Sequence, residues 1–475
     1  MSGRRVVVIG NGMAGSRFVD DLRRRDPLSH ITVIGAEARP AYNRVLLSDV
    51  LAGKRRASDI ALGDAAGADR RLGVRVVQVD REARTVFTSE GDRLPYDVLV
   101  LATGSTAVVP PVHGIAGPTG TLLAGVHVFR TLADCDAIAA EAGTAQRAIV
   151  VGGGLLGLEA ARGLLQQGLQ VEVVHGMGHL MDVQLDALGG AVLRRSVEAL
   201  GVGVHLGSFA SSVTGTRVVT GVGLADGRHV AGDLVILACG VRPEVTLARA
   251  AGLEVERGIV VDDQLRTSDP DVFALGECAQ HRGQVYGLVA PAWEQATVLA
   301  EVLTGQLASY AGSRTVARLK ALDLEVAAMG ETSPGLDDVE EGLEVLQWAD
   351  PARHVYKKLV VRDGVVTGAI LLGDLSTAGV VTQAFDRATP LPAERLHLLF
   401  AGLGSRRGAD AADDDVVCTC NAVTAGRLRA CGARTLAEAA LATRATTGCG
   451  TCASSVAALL RKDESPAPEP ARRSA

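Results

Sequence analysis

Residues 6–15, Val-Val-Val-Ile-Gly-Asn-Gly-Met-Ala-Gly, constrain this chain more than any other stretch. Val6, Val7, Val8 and Ile9 form an apolar, mostly β-branched run that predicts a buried parallel strand. A Gly-x-Gly-x-x-Gly turn follows at once, and residues 17–25 read as helix. Gly10 makes the tight turn, Gly12 lets backbone approach a pyrophosphate, and Gly15 lets the helix sit close on the strand. The helix N-terminus then offers unpaired N–H groups and a positive dipole end to phosphates. Residues 31–34 predict a second strand. Glu37 follows, 22 residues beyond Gly15, where an acid takes a ribose hydroxyl. Glycine spacing alone is a weak signal, but strand, turn, helix, strand and acid in this order point to a dinucleotide over a plain loop.

The pattern recurs. Residues 148–151 are Ala-Ile-Val-Val, and Gly152, Gly154 and Gly157 repeat the spacing of Gly10, Gly12 and Gly15. A helix is expected over 158–167 and a strand over 171–174. Two dinucleotide sites in one chain suit a flavin that stays bound and a nicotinamide that exchanges. His175 stands where an acid would favour NADH, and no Arg or Lys follows until Arg194. Only His175 and His179 could hold a 2′-phosphate, so the site leans to NADH; a plain surface histidine is the alternative for His175.

The 475 residues imply several domains. Hydrophobic residues make up 47% and charged residues 21%, which is globular, and a net charge of −6 gives no electrostatic case for nucleic acid. Arg4-Arg5 before residues 6–9 imitates an export signal, but the apolar run is too short and runs into the glycine turn. No run approaches the roughly 18 apolar residues of a membrane span. A cytoplasmic protein without membrane contact is expected.

Between the fingerprints, residues 40–53 contain no cysteine, which disfavours dithiol chemistry there. Residues 97–101 run as a strand into Ala102-Thr103-Gly104-Ser105, a turn that permits close approach to a ligand. Residues 233–243 read as a strand leaving the second nucleotide domain through Gly240, with Cys239 a small buried hydrophobe. Residues 271–279 read as strand, turn and helix start, with Gly276 and Glu277 at the turn. Trp293, Glu294 and Gln295 follow on a helix. Residues 307–400 carry no cofactor motif, and Asp363-Gly364 is a hairpin signal.

Of eight cysteines, Cys418, Cys420, Cys431, Cys449 and Cys452 crowd the end, which is no disulfide framework for a chain this long. Cys418-x-Cys420 and Cys449-x-x-Cys452 supply two thiolate pairs, enough to ligate a [2Fe-2S] cluster. Helix is expected over 428–441 between them, and Cys431 falls outside the pattern. A Cys₄ zinc site and a dithiol pair are the alternatives; the tight Cys-x-Cys spacing is less comfortable for zinc.

Residues 42–48 (Tyr-Asn-Arg-Val-Leu-Leu-Ser) and 276–291 make a resemblance specific. The chain is similar to the two-dinucleotide-domain FAD/NAD(P)H reductases. More narrowly, over residues 4–455 it resembles the flavoprotein half of the nitrite reductase [NAD(P)H] large subunit. Its cysteine segment resembles the bacterioferritin-associated-ferredoxin-like (BFD-like) [2Fe-2S] module. The resemblance implies that Gly10, Gly12, Gly15, Glu37, Arg44, Thr103, Gly104, Arg130, Gly276 and Glu277 hold FAD. It implies that Gly152, Gly154, Gly157, Glu159, His175 and Gly240 face NAD(P)H. Glu159 and Asp49 are the candidate catalytic residues. Ferredoxin reductases of this type tend to carry Lys where Asp49 stands, so Lys-based tuning of the flavin is in doubt.

The expected fold class is α/β, with two Rossmann-like dinucleotide-binding domains, a small α+β domain and a small helical [2Fe-2S] module. The expected boundaries are 1–112 and 243–306 for the FAD domain, 113–242 for NAD(P), and 307–402 for an α+β cap of a kind that forms dimers in similar proteins. A linker over 403–415, the cluster module over 416–460 and a Pro-rich disordered tail over 461–475 complete the chain. The sequence ends at Ala475 without a sirohaem-type segment, so a separate reductase component is expected, feeding a nitrate or nitrite reductase catalytic subunit. Two alternatives stand: a general ferredoxin-, rubredoxin- or oxygenase-type reductase, and a flavoprotein with a zinc-bound docking or sensing domain.

Overall fold

A computed structural model describes residues 3–63, 67–117, 120–321, 324–388, 390–391, 395–400, 411–418, 421–447 and 452–462. The chain divides into two compact units, residues 1–326 with 351–354, and residues 327–350 with 355–475.

The first unit is built on two parallel five-stranded sheets. One has the order Val272–Ala274, Val98–Leu101, Arg5–Ile9, His30–Gly35, Asp69–Leu72. The other has the order Gly203–Leu206, Gln170–His175, Arg147–Val151, Leu234–Leu237, Val126–Val128. Both central strands are near-continuous apolar runs because both faces are covered; Val8 and Val150 are fully buried. The helices Met13–Arg25 and Leu155–Gln166 start directly after the glycine turns. Two β-strands join the halves: Ser105–Ala107 pairs antiparallel with Val241–Pro243.

The segment after Glu277 departs from the sequence expectation. No helix starts there. Gly276–Cys278 is a single 3₁₀ turn, and Ala279–His281 is a strand parallel to Ile259–Val261. The Gln280 amide oxygen accepts from the backbone N–H groups of Arg257 and Gly258, each at 3.0 Å, which fixes the extended form. The helix comes later, at Val289–Leu303.

In the second unit, Leu343–Asp350, Val355–Arg362 and Val365–Leu372 form an antiparallel meander. Asp363 (φ 49°) and Gly364 (φ 75°) make the expected tight hairpin turn, where both central residues need positive φ. Lys357 and Lys358 are fully buried on the central strand. The Lys357 ammonium reaches Asp374 and the Leu399 carbonyl, both at 2.6 Å.

The cysteine segment has its own small core of Cys418, Val423, Leu428, Ala439, Cys452, Val456 and Leu459. The expected single helix is two, Ala425–Ala430 and Leu436–Thr443. Gly432 turns out of the first at φ 65°, and a Thr435–Glu438 capping box restarts the second. Among the described residues no helix is long and apolar enough to cross a membrane.

Candidate functional site

The two glycine turns have the same internal geometry. Gly10 (φ 117°) and Gly152 (φ 124°) are left-handed and pressed on backbone; a Cβ there would overlap the carbonyls of Ala102 and Ala238. A Cβ on Gly15 or Gly157 would overlap the carbonyl of Gly10 or Gly152, so these glycines bring helix onto strand. At Gly12 and Gly154 a Cβ meets no atom within 4 Å. These two positions leave an open cradle at a helix N-terminus, the shape a pyrophosphate needs. Gly104 and Gly240, at the ends of the neighbouring strands, are also left-handed and open.

Around the first cradle, Glu37 accepts from the Tyr42 hydroxyl at 2.7 Å and pairs with Arg44. Arg44 also donates to the Arg130 carbonyl at 3.2 Å. Arg130 in turn pairs with Glu277, and Ser105 donates to the same Glu277 oxygen, Oε2, at 2.6 Å. Glu37, Arg44, Arg130 and Glu277, dispersed over 240 residue positions, thus form one polar chain. Thr103 is more restricted, since its hydroxyl donates to the Glu244 carbonyl at 2.6 Å. Two buried donors in this region, Asn11 Nδ2 and Arg130 Nε, have no partner within the protein. Orphaned donors beside an open glycine cradle fit an anionic dinucleotide.

The second cradle is braced by His175. Its Nδ1 accepts the Gly153 N–H at 3.1 Å, so the ring proton is on Nε2, which faces Asp182 Oδ1 at 2.9 Å. Gly153 is held on its other side by the Met181 N–H, at 2.9 Å. The sequence lacks an acid at the strand end, but the chain folds Asp182 back to it. His179 does not join this cluster; its Nδ1 lies 3.2 Å from the Leu180 carbonyl.

Glu159 lies between the two halves of the first unit. It is hydrogen-bonded to Ser48 and sits beside Asp49, and burial pushes its carboxyl up to about 7. Asp49 pairs with Arg55 at 3.3 Å. Gly163, one turn beyond Glu159, brings that helix against Leu51 and Ala52. The two candidate catalytic acids are therefore brought together by helix packing, and Ser48, the residue before Asp49, bonds Glu159. Ser48, Tyr42, Ser105 and Asp182 had no assigned role in the sequence; the first three lie beside residues that did, and Asp182 carries no sequence signal.

Cys135, Cys239 and Cys278 are unpaired, and burial raises all three thiols, Cys135 and Cys239 to about 11. These are packing thiols. Cys239 is only partly buried and donates to the Val151 carbonyl at 3.3 Å. Cys418 is the opposite case. Its hydrogen bond with Cys452 lowers its thiol to about 6 against the cost of burial, helped by the N–H groups of Thr446 and Asn421. Non-glycine residues Ala422, Arg444 and Thr446 all adopt positive φ here. Such strained turns cluster at active sites and ligand clamps. Cys420 and Cys449 lie outside the described residues. Cys431 donates to the Leu428 carbonyl at 3.0 Å, as a packing thiol does.

Comparison with known proteins agrees with this geometry. Residues 4–296 match the pyridine nucleotide-disulphide oxidoreductase family, residues 316–389 the rubredoxin NAD+ reductase C-terminal domain, and residues 416–462 the BFD-like [2Fe-2S] binding domain. The chain is 39% identical to the nitrite reductase [NAD(P)H] large subunit of Klebsiella oxytoca, over 95% of this chain and 48% of that protein. It is 34% identical to the assimilatory nitrate reductase electron transfer subunit of Bacillus subtilis, over 97% of this chain and 60% of that one. It therefore spans about half to three fifths of the length of these relatives. The ferredoxin reductase for the CYP199A2 system from Rhodopseudomonas palustris superposes with a TM-score of 0.73 at 26% identity, over 82% of this chain and 96% of that chain. The chain belongs to the pyridine nucleotide-disulphide oxidoreductase family, as an NAD(P)H-dependent FAD reductase with an appended BFD-like [2Fe-2S] domain.

Proposed function

We propose that this chain is the electron-transfer component of assimilatory nitrate or nitrite reduction. It would draw electrons from NAD(P)H and deliver them through a [2Fe-2S] cluster to a catalytic partner. The observation that carries the reading is the presence on one chain of two open glycine cradles and of Cys418 paired with Cys452 among inward N–H groups. The names of the relatives supply the nitrogen context.

Bound FAD would supply the conversion between the two-electron hydride chemistry of NAD(P)H and the one-electron chemistry of an iron–sulfur cluster. The residues hold and orient. Gly10, Gly12 and Gly15 would seat the FAD pyrophosphate, and Glu37, tied to Tyr42 and Arg44, would take the adenosine ribose. Thr103, Gly104, Arg130, Gly276 and Glu277 would line the rest of that site. Donors from Ser105 and Arg130 both reach Glu277 Oε2, leaving its other oxygen to accept a ribityl hydroxyl. Gly152, Gly154, Gly157, His175 and Gly240 would seat the nicotinamide nucleotide. Glu159, held by Ser48, would accept from the carboxamide N–H. Cys418, Cys420, Cys449 and Cys452 would ligate the cluster. A cytoplasmic homodimer completes the proposal; light scattering on a sizing column reports the dimer.

The test is a visible spectrum before and after anaerobic NADH, with iron and sulfide analysis. Flavin bands near roughly 450 nm and a broad cluster shoulder, both bleached by NADH, support the relay. Flavin with zinc in place of iron and sulfide overturns it. A general ferredoxin- or oxygenase-type reductase is the second reading, favoured by the fold match to the Rhodopseudomonas ferredoxin reductase. Reduction of a nitrite or nitrate reductase catalytic subunit, set against reduction of a ferredoxin, separates the two.

A further inference from the structure

The end of the Gln170–His175 strand is where a nicotinamide dinucleotide presents its adenosine ribose. An unmodified ribose offers hydroxyl donors there; a 2′-phosphorylated ribose offers a dianion. His175 occupies the position, but its Nδ1 is spent on the Gly153 N–H and its Nε2 proton on Asp182. The ring is thus a neutral bridge between the glycine loop and a carboxylate. Met181 is fully buried and adopts φ 51°, a left-handed turn that a non-glycine side chain rarely takes. That turn and the Met181 N–H bond to the Gly153 carbonyl aim Asp182 back at the strand end. The Asp182 side chain remains one-quarter exposed, so it is in reach of a ligand. No Lys or Arg lies between Arg162 and Arg194, and Arg194 pairs with Glu198.

We propose that Asp182, set by the His175 bridge to Gly153, is the NADH-selecting acid of this reductase. Its carboxylate accepts the adenosine ribose hydroxyls and repels a 2′-phosphate. His175 is the positioning residue; it fixes the acid relative to the loop that seats the pyrophosphate. The inference rests on the reading of the second cradle as the NAD(P)H site.

The test uses the full-length holoprotein and calorimetric titration with NAD+ and NADP+, alongside anaerobic flavin reduction by NADH and NADPH. The parent is expected to bind NAD+ at least about tenfold tighter than NADP+, the scale of one charge-assisted hydrogen bond. Asp182→Asn keeps the shape and the bond from His175, so folding is preserved, yet removes the charge. It is expected to shrink the NAD+/NADP+ ratio about tenfold, mostly by tighter NADP+ binding. His175→Asn, which cannot span Gly153 and Asp182, is expected to weaken NAD+ with little change in NADP+. A ratio that stays within twofold in Asp182→Asn, with NAD+ still bound, overturns the inference alone. Absence of binding by either nucleotide to the parent overturns the NAD(P)H reading together with it.

Discussion

Glu159 and Ser48 share a hydrogen bond across the seam between the FAD-type and NAD-type halves, with Asp49 alongside. Burial and the Asp49 charge both favour the protonated form of Glu159, and the Ser48 hydrogen bond opposes them. This pair has a consequence for stability and one for catalysis.

The folded-state carboxyl of Glu159 titrates near 7, above its ordinary value of 4.5. The stability it contributes is fully present below pH 4.5 and is lost as pH rises to 7, because the unfolded chain ionises more readily. Glu159→Gln is therefore expected to match the parent near pH 4.5 and exceed it increasingly up to pH 7, by at most about 3 kcal/mol above that. Urea unfolding of both proteins at pH 5, 6 and 8 checks the trend; equal curves at pH 8 would refute it. Parent flavin reduction by NADH should also change through an apparent pKa near 7 that the Gln variant lacks.

The glycine turns give a paired prediction. A Cβ on Gly15 overlaps the Gly10 carbonyl, whereas one on Gly12 meets open space. Gly15→Ala is expected to cost about 1–3 kcal/mol of stability through overpacking. Gly12→Ala should fold normally and lose flavin. The second turn mirrors this: Gly154→Ala should keep its flavin and lose NAD+ binding. Flavin-to-protein absorbance ratios, melting curves and NAD+ titration distinguish the three variants, and a stable, flavin-replete Gly12→Ala protein would sink the cradle assignment.

The legibility of these sites in the sequence follows their physics. Both cradles are visible because a strand, a tight turn and a close-packed helix admit few residue types in few spacings. Glu37 is visible because it closely follows the second strand, which ends at Gly35, and Glu277 because the resemblance places an acid at the turn after the strand that ends at Ala274. Asp182 is invisible, because a left-handed Met181 returns it to the site and nothing in the residue type announces that backbone. The turn after Glu277 is misread as a helix start because Gln280 secures a strand with a long-range side-chain bond that local pattern does not contain. The sequence reading misses the helix break at Gly432 and runs one helix over 428–441, although a glycine with a Thr cap three residues on carries the signal of a stop and restart.

The cysteine module should be separable from the flavin. Cys418→Ser and Cys452→Ser each remove one of two thiols buried in the same small core. Either variant is expected to lose iron and sulfide and to lose electron delivery to a protein partner. Reduction of the flavin by NADH, and of ferricyanide by the flavin, should persist at close to the parent rate. Loss of ferricyanide reduction in these variants would place the cluster before the flavin and contradict the proposed order.

Lys357 offers a test of what holds the second unit together. Its ammonium is fully buried against Asp374 and the Leu399 carbonyl, and it lies 5.6 Å from the Phe400 ring centre. Removing one partner of a buried ion pair leaves the rest uncompensated and costs about 3–5 kcal/mol. Asp374 is nearly half exposed, so water compensates most of its loss and the broken pair accounts for about 1 kcal/mol; the cavity left by the buried stem brings Lys357→Ala to about 3 kcal/mol. Lys357→Met keeps the volume of the stem and should cost about 1 kcal/mol, since packing carries part of what a lysine contributes. The two tryptophans separate the units as reporters: Trp293 belongs to the first, and Trp348 packs edge-on against Phe400 in the second. In a Trp293→Phe background, urea unfolding followed by Trp348 fluorescence should shift strongly for the Ala variant and slightly for the Met variant. Flavin reduction by NADH should stay unchanged in both, because Lys357 lies in the unit that holds neither glycine cradle. Equal shifts in the two variants would mean that the charge, not the stem, carries the whole contribution.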